Sequence, residues 1–103
     1  MNINQNYVIR GIVIKVYDVV ETSTGDPRVD FVISQTDTNN KETFAYFSSF
    51  SGTALFVKKM KEGQCVDVTF DLRSFQNKAN PEKYFTNLTC RRVSLLEFKG
   101  NEE

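Results

Sequence analysis

The chain has 103 residues, with 40% hydrophobic and 25% charged side chains, so it is sized for one modest core and not for two. Lys plus Arg and Asp plus Glu number thirteen each, giving zero net charge, and histidine and tryptophan are absent. No apolar run approaches the roughly 18 residues of a membrane span, and Met1 to Asn6 lacks the basic and apolar segments of a secretory signal. The expected compartment is the cytoplasm.

Tyr7 to Val20 is dense in β-branched residues and apolar on both faces, as expected of a long, coiled first strand shared between two sheets. Gly11 interrupts it, where a bulge or sharp bend is expected. Thr22 to Pro27 carries turn chemistry, with Gly25 available for a positive φ. Arg28 to Gln35 alternates Val29, Phe31 and Ile33 against Arg28, Asp30 and Ser34, the period of a half-buried strand. Thr36 to Lys41 is a polar hairpin loop.

Glu42 to Phe50 is the most informative stretch. Its faces are Ala45, Phe47 and Ser49 against Phe44, Tyr46, Ser48 and Phe50. Placing the second set inside would leave Ala45 and Phe47 outside and a thin core opposite Phe31 and Phe70. The three rings Phe44, Tyr46 and Phe50 are therefore expected to face outward.

Ser51 to Thr53 breaks the pattern, and Ala54 to Lys61 reads as a helix. Thr53 is its expected N-cap, Phe56 and Met60 an i,i+4 pair, and Gly63 its stop. Lys58, Lys59 and Lys61 would complement its C-terminus. Val66 to Arg73 alternates again as a fourth strand. Gln76 to Lys83, with Asn77, Asn80 and Pro81, is an exposed loop, and Tyr84 to Val93 is a fifth strand. Phe98 to Glu103 is a short polar tail beyond a core of about residues 7 to 96, all within a single domain spanning 1–103.

Cys65 and Cys90 have no metal-ligand partners nearby and read as small core or strand residues on neighbouring strands, reduced by default. Without histidine there is no imidazole base, and Ser48, Ser49 and Ser51 have no nucleophile elbow around them. Asp67 and Asp71 share one side of a strand, where solvated acids are commoner than metal ligands. No catalysis, cofactor or metal is expected.

Five strands with one helix between the third and fourth describe an all-β oligonucleotide/oligosaccharide-binding (OB) barrel; a β-sandwich would need about seven strands. The order Gly11, Thr-Ser-Thr-Gly (22 to 25), Val29 to Ile33, Glu42-Thr43-Phe44 and Phe50-Ser51-Gly52 resembles the bacterial and phage single-stranded DNA-binding proteins. The likeness continues through Lys-Glu-Gly (61 to 63), Leu72-Arg73-Ser74-Phe75 and Lys83-Tyr84-Phe85-Thr86, across about residues 7 to 96. It implies that Phe44 stands where the family has a tryptophan, that Phe50 matches the aromatic at the strand's far end, and that Phe75 lies near the aromatic of the loop between strands four and five. In that family these rings stack on bases. The missing tryptophan and acidic-aromatic tail depart from the replicative members, and the compact size is nearer to phage-encoded binders or primosomal accessory proteins.

The expected function is sequence-tolerant binding of single-stranded DNA in replication or recombination, where base stacking contributes about 1–3 kcal/mol per base. Phe85 joins the rings, although Phe75 and Phe85 could equally anchor the loop. Lys41, Arg73, Lys78, Lys83 and Arg91 would meet phosphates; singly each is an ordinary solvated charge, and as a set they flank the aromatic face. Expected partners are single-stranded DNA, replication or recombination proteins, and further copies of the chain as a dimer or larger assembly. The rival is an OB module that binds proteins and touches nucleic acid incidentally, which zero net charge favours. An RNA-binding cold-shock-like domain lacks its aromatic signature here.

Overall fold

The computed structural model describes residues 7–96; the N-terminal hexapeptide and the polar tail from Phe98 lie outside them. The strands are β1 (Tyr7–Val16), β2 (Val20–Glu21), β3 (Pro27–Thr36), β4 (Glu42–Phe50), β5 (Cys65–Gln76) and β6 (Tyr84–Leu95), with helix α1 (Ser51–Lys58) between β4 and β5. The sheet order is β1-β5-β6-β4-β3-β2, and an additional β1–β3 pairing closes it. The five long strands and the helix make an OB barrel, with the two-residue β2 a short flap on the edge of β3.

Closure rests on β1 serving two neighbours. Its first half, Tyr7 to Ile12, pairs with β5, and Ile12 to Val16 pairs with β3. The register shift falls between Val13 and Lys15, not at Gly11. Gly11 is instead a point of close approach, since a Cβ there would lie 2.6 Å from the Ser34 carbonyl oxygen. Glycine is needed because the two backbones nearly touch where the strand changes partner. The apolar run also ends earlier than its composition suggests. Val19 and Val20 are exposed, because β1 stops at Val16 and the chain leaves the barrel before β2.

The core follows the period-two pattern. Val29, Phe31 and Ile33 of β3, Phe47 of β4, and Val66 and Val68 of β5 are fully buried, each contributing about 1.5–3 kcal/mol of burial. Phe47 stacks on Phe31 at 5.2 Å and meets Phe70 edge-on at 5.2 Å. The buried Ser49 hydroxyl donates to the Val29 carbonyl at 2.6 Å, so it lies inside without an unmet polar atom.

The helix differs from its sequence-based bounds. It begins at Ser51 with Phe50 as N-cap and ends at Lys58, with Lys59 as C-cap. Thr53 is inside it and donates instead to the Arg91 carbonyl at 3.4 Å. Met60 therefore lies beyond the helix and is buried, Phe56 is exposed, and Gly63 (φ 95°) belongs to the following turn. Ala54 and Val57 are the buried helical residues, so tertiary packing on the barrel sets the helix position more than capping does. Only Lys58 of the three lysines is in the last turn, and its Nζ donates to the Tyr17 carbonyl at 3.4 Å.

Cys65 and Cys90 are free and buried on adjacent strands. Cys90 faces Phe70, five positions along β5 from Cys65, or roughly 16 Å at about 3.3 Å per residue. Burial pushes the Cys90 thiol up to about 12. No helix among the described residues is long and apolar enough to cross a membrane.

Candidate nucleic-acid interface

Antiparallel pairing with β3 presents the outer face of β4 beside a row that is polar except at Val32. Phe44 stands opposite Ser34, Tyr46 opposite Val32, Ser48 opposite Asp30 and Phe50 opposite Arg28. Relative exposures are 61% for Phe44, 50% for Tyr46 and 39% for Phe50, against 0% for Phe47. The rings expected outside are outside. β4 and β6 run parallel and share one ladder pair, Ser48 with Thr89. Toward the start of both strands lies a concavity of about 400 Å³, lined by Phe44, Tyr46 and Arg28 and by Thr86, Asn87 and Leu88.

A polar network holds the platform. Arg28 donates from Nε to Asp30 Oδ1 at 2.9 Å and from Nη2 to Oδ2 at 3.1 Å, and Nη2 also reaches Ser48 Oγ at 3.2 Å. The Tyr46 hydroxyl donates to Asp30 Oδ2 at 2.7 Å. Burial alone would raise the Asp30 pKa, but hydrogen bonds from Arg28, Tyr46 and Ser48 outweigh it and hold the carboxyl below its ordinary range. The same bond from Tyr46 to Asp30 pushes the phenol up to about 12. Spectrophotometric titration should show one tyrosine ionising near that value, and Tyr46→Phe should remove that step. Because the folded value is raised, the bond's contribution to stability is complete below the ordinary tyrosine range of about 10. It is lost as pH rises through about 12.

Phe75 and Phe85 face each other across β5 and β6, one pair from the hairpin turn, and are both exposed. Both strands run further than their alternation suggests, and Phe75 is a strand residue, with the loop starting after Gln76. Arg73, Phe75 and Arg91 line a second concavity of about 170 Å³ with Asp71, Asn87 and Thr89. Asn87 borders both concavities, which joins the two groups of rings. Lys41 sits at the end of the β3–β4 loop, and Lys78 and Lys83 in the β5–β6 turn; these three line neither concavity. Arg91 lies 3.5 Å from Asp71, and Asp67 is held by Arg10 at 2.8 Å. Among the described residues no group of His, Cys, Asp or Glu could hold a metal ion.

No protein-family model and no curated protein matches the sequence. Solved structures do. The dimeric N-terminal domain of PriB from Thermoanaerobacter tencongensis aligns over 91% of this chain and 98% of its own, at 15% identity and TM-score 0.68. Rim1, the mitochondrial single-stranded DNA binding protein of S. cerevisiae, aligns over 90% and 94%, at 14% identity and TM-score 0.72. The single-stranded DNA binding protein of Thermus aquaticus aligns at 19% identity and TM-score 0.70 over 95% of this chain, which spans 52% of that protein. The chain has their fold.

On this OB barrel the sequence reading missed one group of residues. Tyr17, Asp18, Val20, Arg28 and Asp30 surround, together with the already expected Tyr46, a concavity of about 360 Å³ next to the platform. Tyr17 lies 5.8 Å from the Tyr46 ring, Lys15 stands over Tyr17 at 5.4 Å, and Arg28 over Phe50 at 5.8 Å. Arg28 and Asp30 were visible as the polar half of an alternating strand. Their relation to Tyr46 and Phe50 depends on the β3–β4 register, which no local pattern carries.

Proposed function

We propose that this chain binds single-stranded DNA with little sequence preference, stacking bases on Phe44, Tyr46 and Phe50 and continuing past Asn87 toward Phe75 and Phe85. The observation that carries the reading is the parity of β4. Three rings stand outside while Phe47, on the other parity, fills the core. Exposed rings on one strand face weaken solubility unless something covers them, and every base offers a π-face. Arg28, Arg73 and Arg91 would meet phosphates at the edges, with Lys41, Lys78 and Lys83 reaching the strand from the hairpin ends. Arg28 is well suited, because Asp30 and Phe50 hold two sides of its guanidinium and leave Nη1 for a ligand.

Asp30 and Asp71 lie among these arginines, so the groove carries few unopposed cations. A single barrel would bind modestly, and a dimer or larger assembly would raise avidity. The dimeric PriB domain with this fold supports that expectation. Relatives of this fold are named for DNA binding and not for catalysis, in keeping with a non-enzymatic part in replication or recombination.

Fluorescence anisotropy with oligo-dT, oligo-U and duplex of equal length tests the proposal. Single strands should bind more tightly than duplex, since paired bases cannot stack on the rings. The affinity should fall as salt rises, with a shallow slope of about −0.7 per phosphate contact. Equal affinity for single strand and duplex, or none at micromolar protein, would reject it in favour of a protein-binding OB module.

A further inference from the structure

The β5–β6 ladder loses register at one place. Thr69 faces Arg92 and Phe70 faces Cys90, so Arg91 is an extra residue without a partner on β5. In a regular strand Arg91 and Arg92 would point to opposite faces. Here the burial runs in, out, out, in across Cys90, Arg91, Arg92 and Val93. The bulge turns two consecutive arginines to the outside, a device that recurs beside binding sites because it re-aims side chains.

Both arginines line a concavity of about 290 Å³ with Gly52, Thr53, Phe56 and Val93. No carboxylate lines it. Arg92 makes no ion pair among the described residues, and the Asp71 partner of Arg91 belongs to the neighbouring concavity that holds Arg73 and Phe75. Arg91 therefore borders both sites. Phe56 is 42% exposed, although it lies on a helix whose Ala54 and Val57 are buried.

Resting on the reading that the chain binds single-stranded DNA, we infer that the strand's path crosses Arg91 and continues into this site. There Arg91 and Arg92 take a backbone phosphate, and Phe56 takes a base. Two guanidiniums beside an exposed ring repeat the alternation of charge and π-face along a nucleotide chain, and the planar guanidinium fork matches a phosphate. An acidic protein segment would use the arginines but would give no reason for the site to join the groove at Arg91.

Oligo-dT of about 6 and about 14 nucleotides, within the span of roughly 4–16 covered by one OB barrel, separates the two sites. The wild-type chain should gain affinity with length. Arg92→Glu and Phe56→Ala should each weaken the longer oligonucleotide about tenfold, as loss of one stacking or charged contact would. The shorter one should be held as before. Arg92→Gln, a milder change to the bulge, should lower the salt slope for the longer strand by about 0.7. If wild type binds the short strand and gains nothing with length, this site falls while the groove stands. If it binds neither, the single-strand reading itself falls. Equal weakening of both lengths by these variants would also overturn the inference. So would loss of an acidic protein partner in Arg92→Glu with both oligonucleotides unaffected.

Discussion

Phe47→Ala is expected to cost about 3–5 kcal/mol of folding stability, the usual range for emptying a buried aromatic site. The ring is fully buried and touches Phe31 on one side and Phe70 on the other, so the cavity would open at the centre of the barrel. Three positions earlier, Phe44→Ala should leave the urea midpoint almost unchanged, because that ring is 61% exposed. Its expected effect is on single-stranded DNA, at about 1–3 kcal/mol, and Phe50→Ala should behave alike. The two measurements must be made together. If Phe44→Ala unfolds the protein while Phe47→Ala spares it, the faces of β4 are exchanged and the platform does not exist. If Phe44→Ala and Phe50→Ala spare stability and neither changes binding, while Phe47→Ala destabilises, the rings are outside but unused.

The second large effect is expected at Gly11, far from any proposed ligand. An alanine Cβ there would meet the Ser34 carbonyl oxygen at 2.6 Å and Ile33 Cδ1 at 3.0 Å. The Ile33 methyl can rotate, but the carbonyl belongs to β3 and can yield only if the strand moves. Gly11→Ala should therefore cost about 1–3 kcal/mol, as overpacking in a close-packed interior does. It should act through the midpoint of a urea titration with an unchanged slope. Gly52→Ala is the control. Nothing lies within 4 Å of its added Cβ, and its place is inside α1. That substitution should stabilise by about 0.5–1 kcal/mol through helix propensity. A neutral Gly11→Ala would mean that β1 and β3 are not so close where β1 changes partner.

Much of this architecture was legible in the residues because strand burial is a local signal. The alternation of Val29, Phe31 and Ile33, and of Phe44 and Tyr46 against Phe47, needs only the period-two geometry of a strand to assign inside and outside. Where local signals misled, a contact remote in sequence had taken over. Thr53 looks like a cap but sits inside a helix whose start is set by Ala54 and Val57 packing on the barrel. Val19 and Val20 look like strand core but lie outside, because β1 stops where its pairing with β3 ends. The fourth strand's alternation stops at Arg73, but β5 continues to Gln76 and pairs Phe75 with Phe85, since the β5–β6 hairpin extends past the apolar pattern.

The sequence by itself determined the strand-rich class and the side of β4 on which the rings stand. Each depends on side-chain chemistry repeated at the period of one element. Only the tertiary structure decided how those elements meet. It set the β3–β4 register that brings Arg28 against Phe50 and Asp30 within 2.7 Å of the Tyr46 hydroxyl. It also placed the one-residue slip that turns Arg91 and Arg92 to the same side. Register and bulges arise from pairing between distant segments, and a single residue of offset reverses which face a side chain occupies.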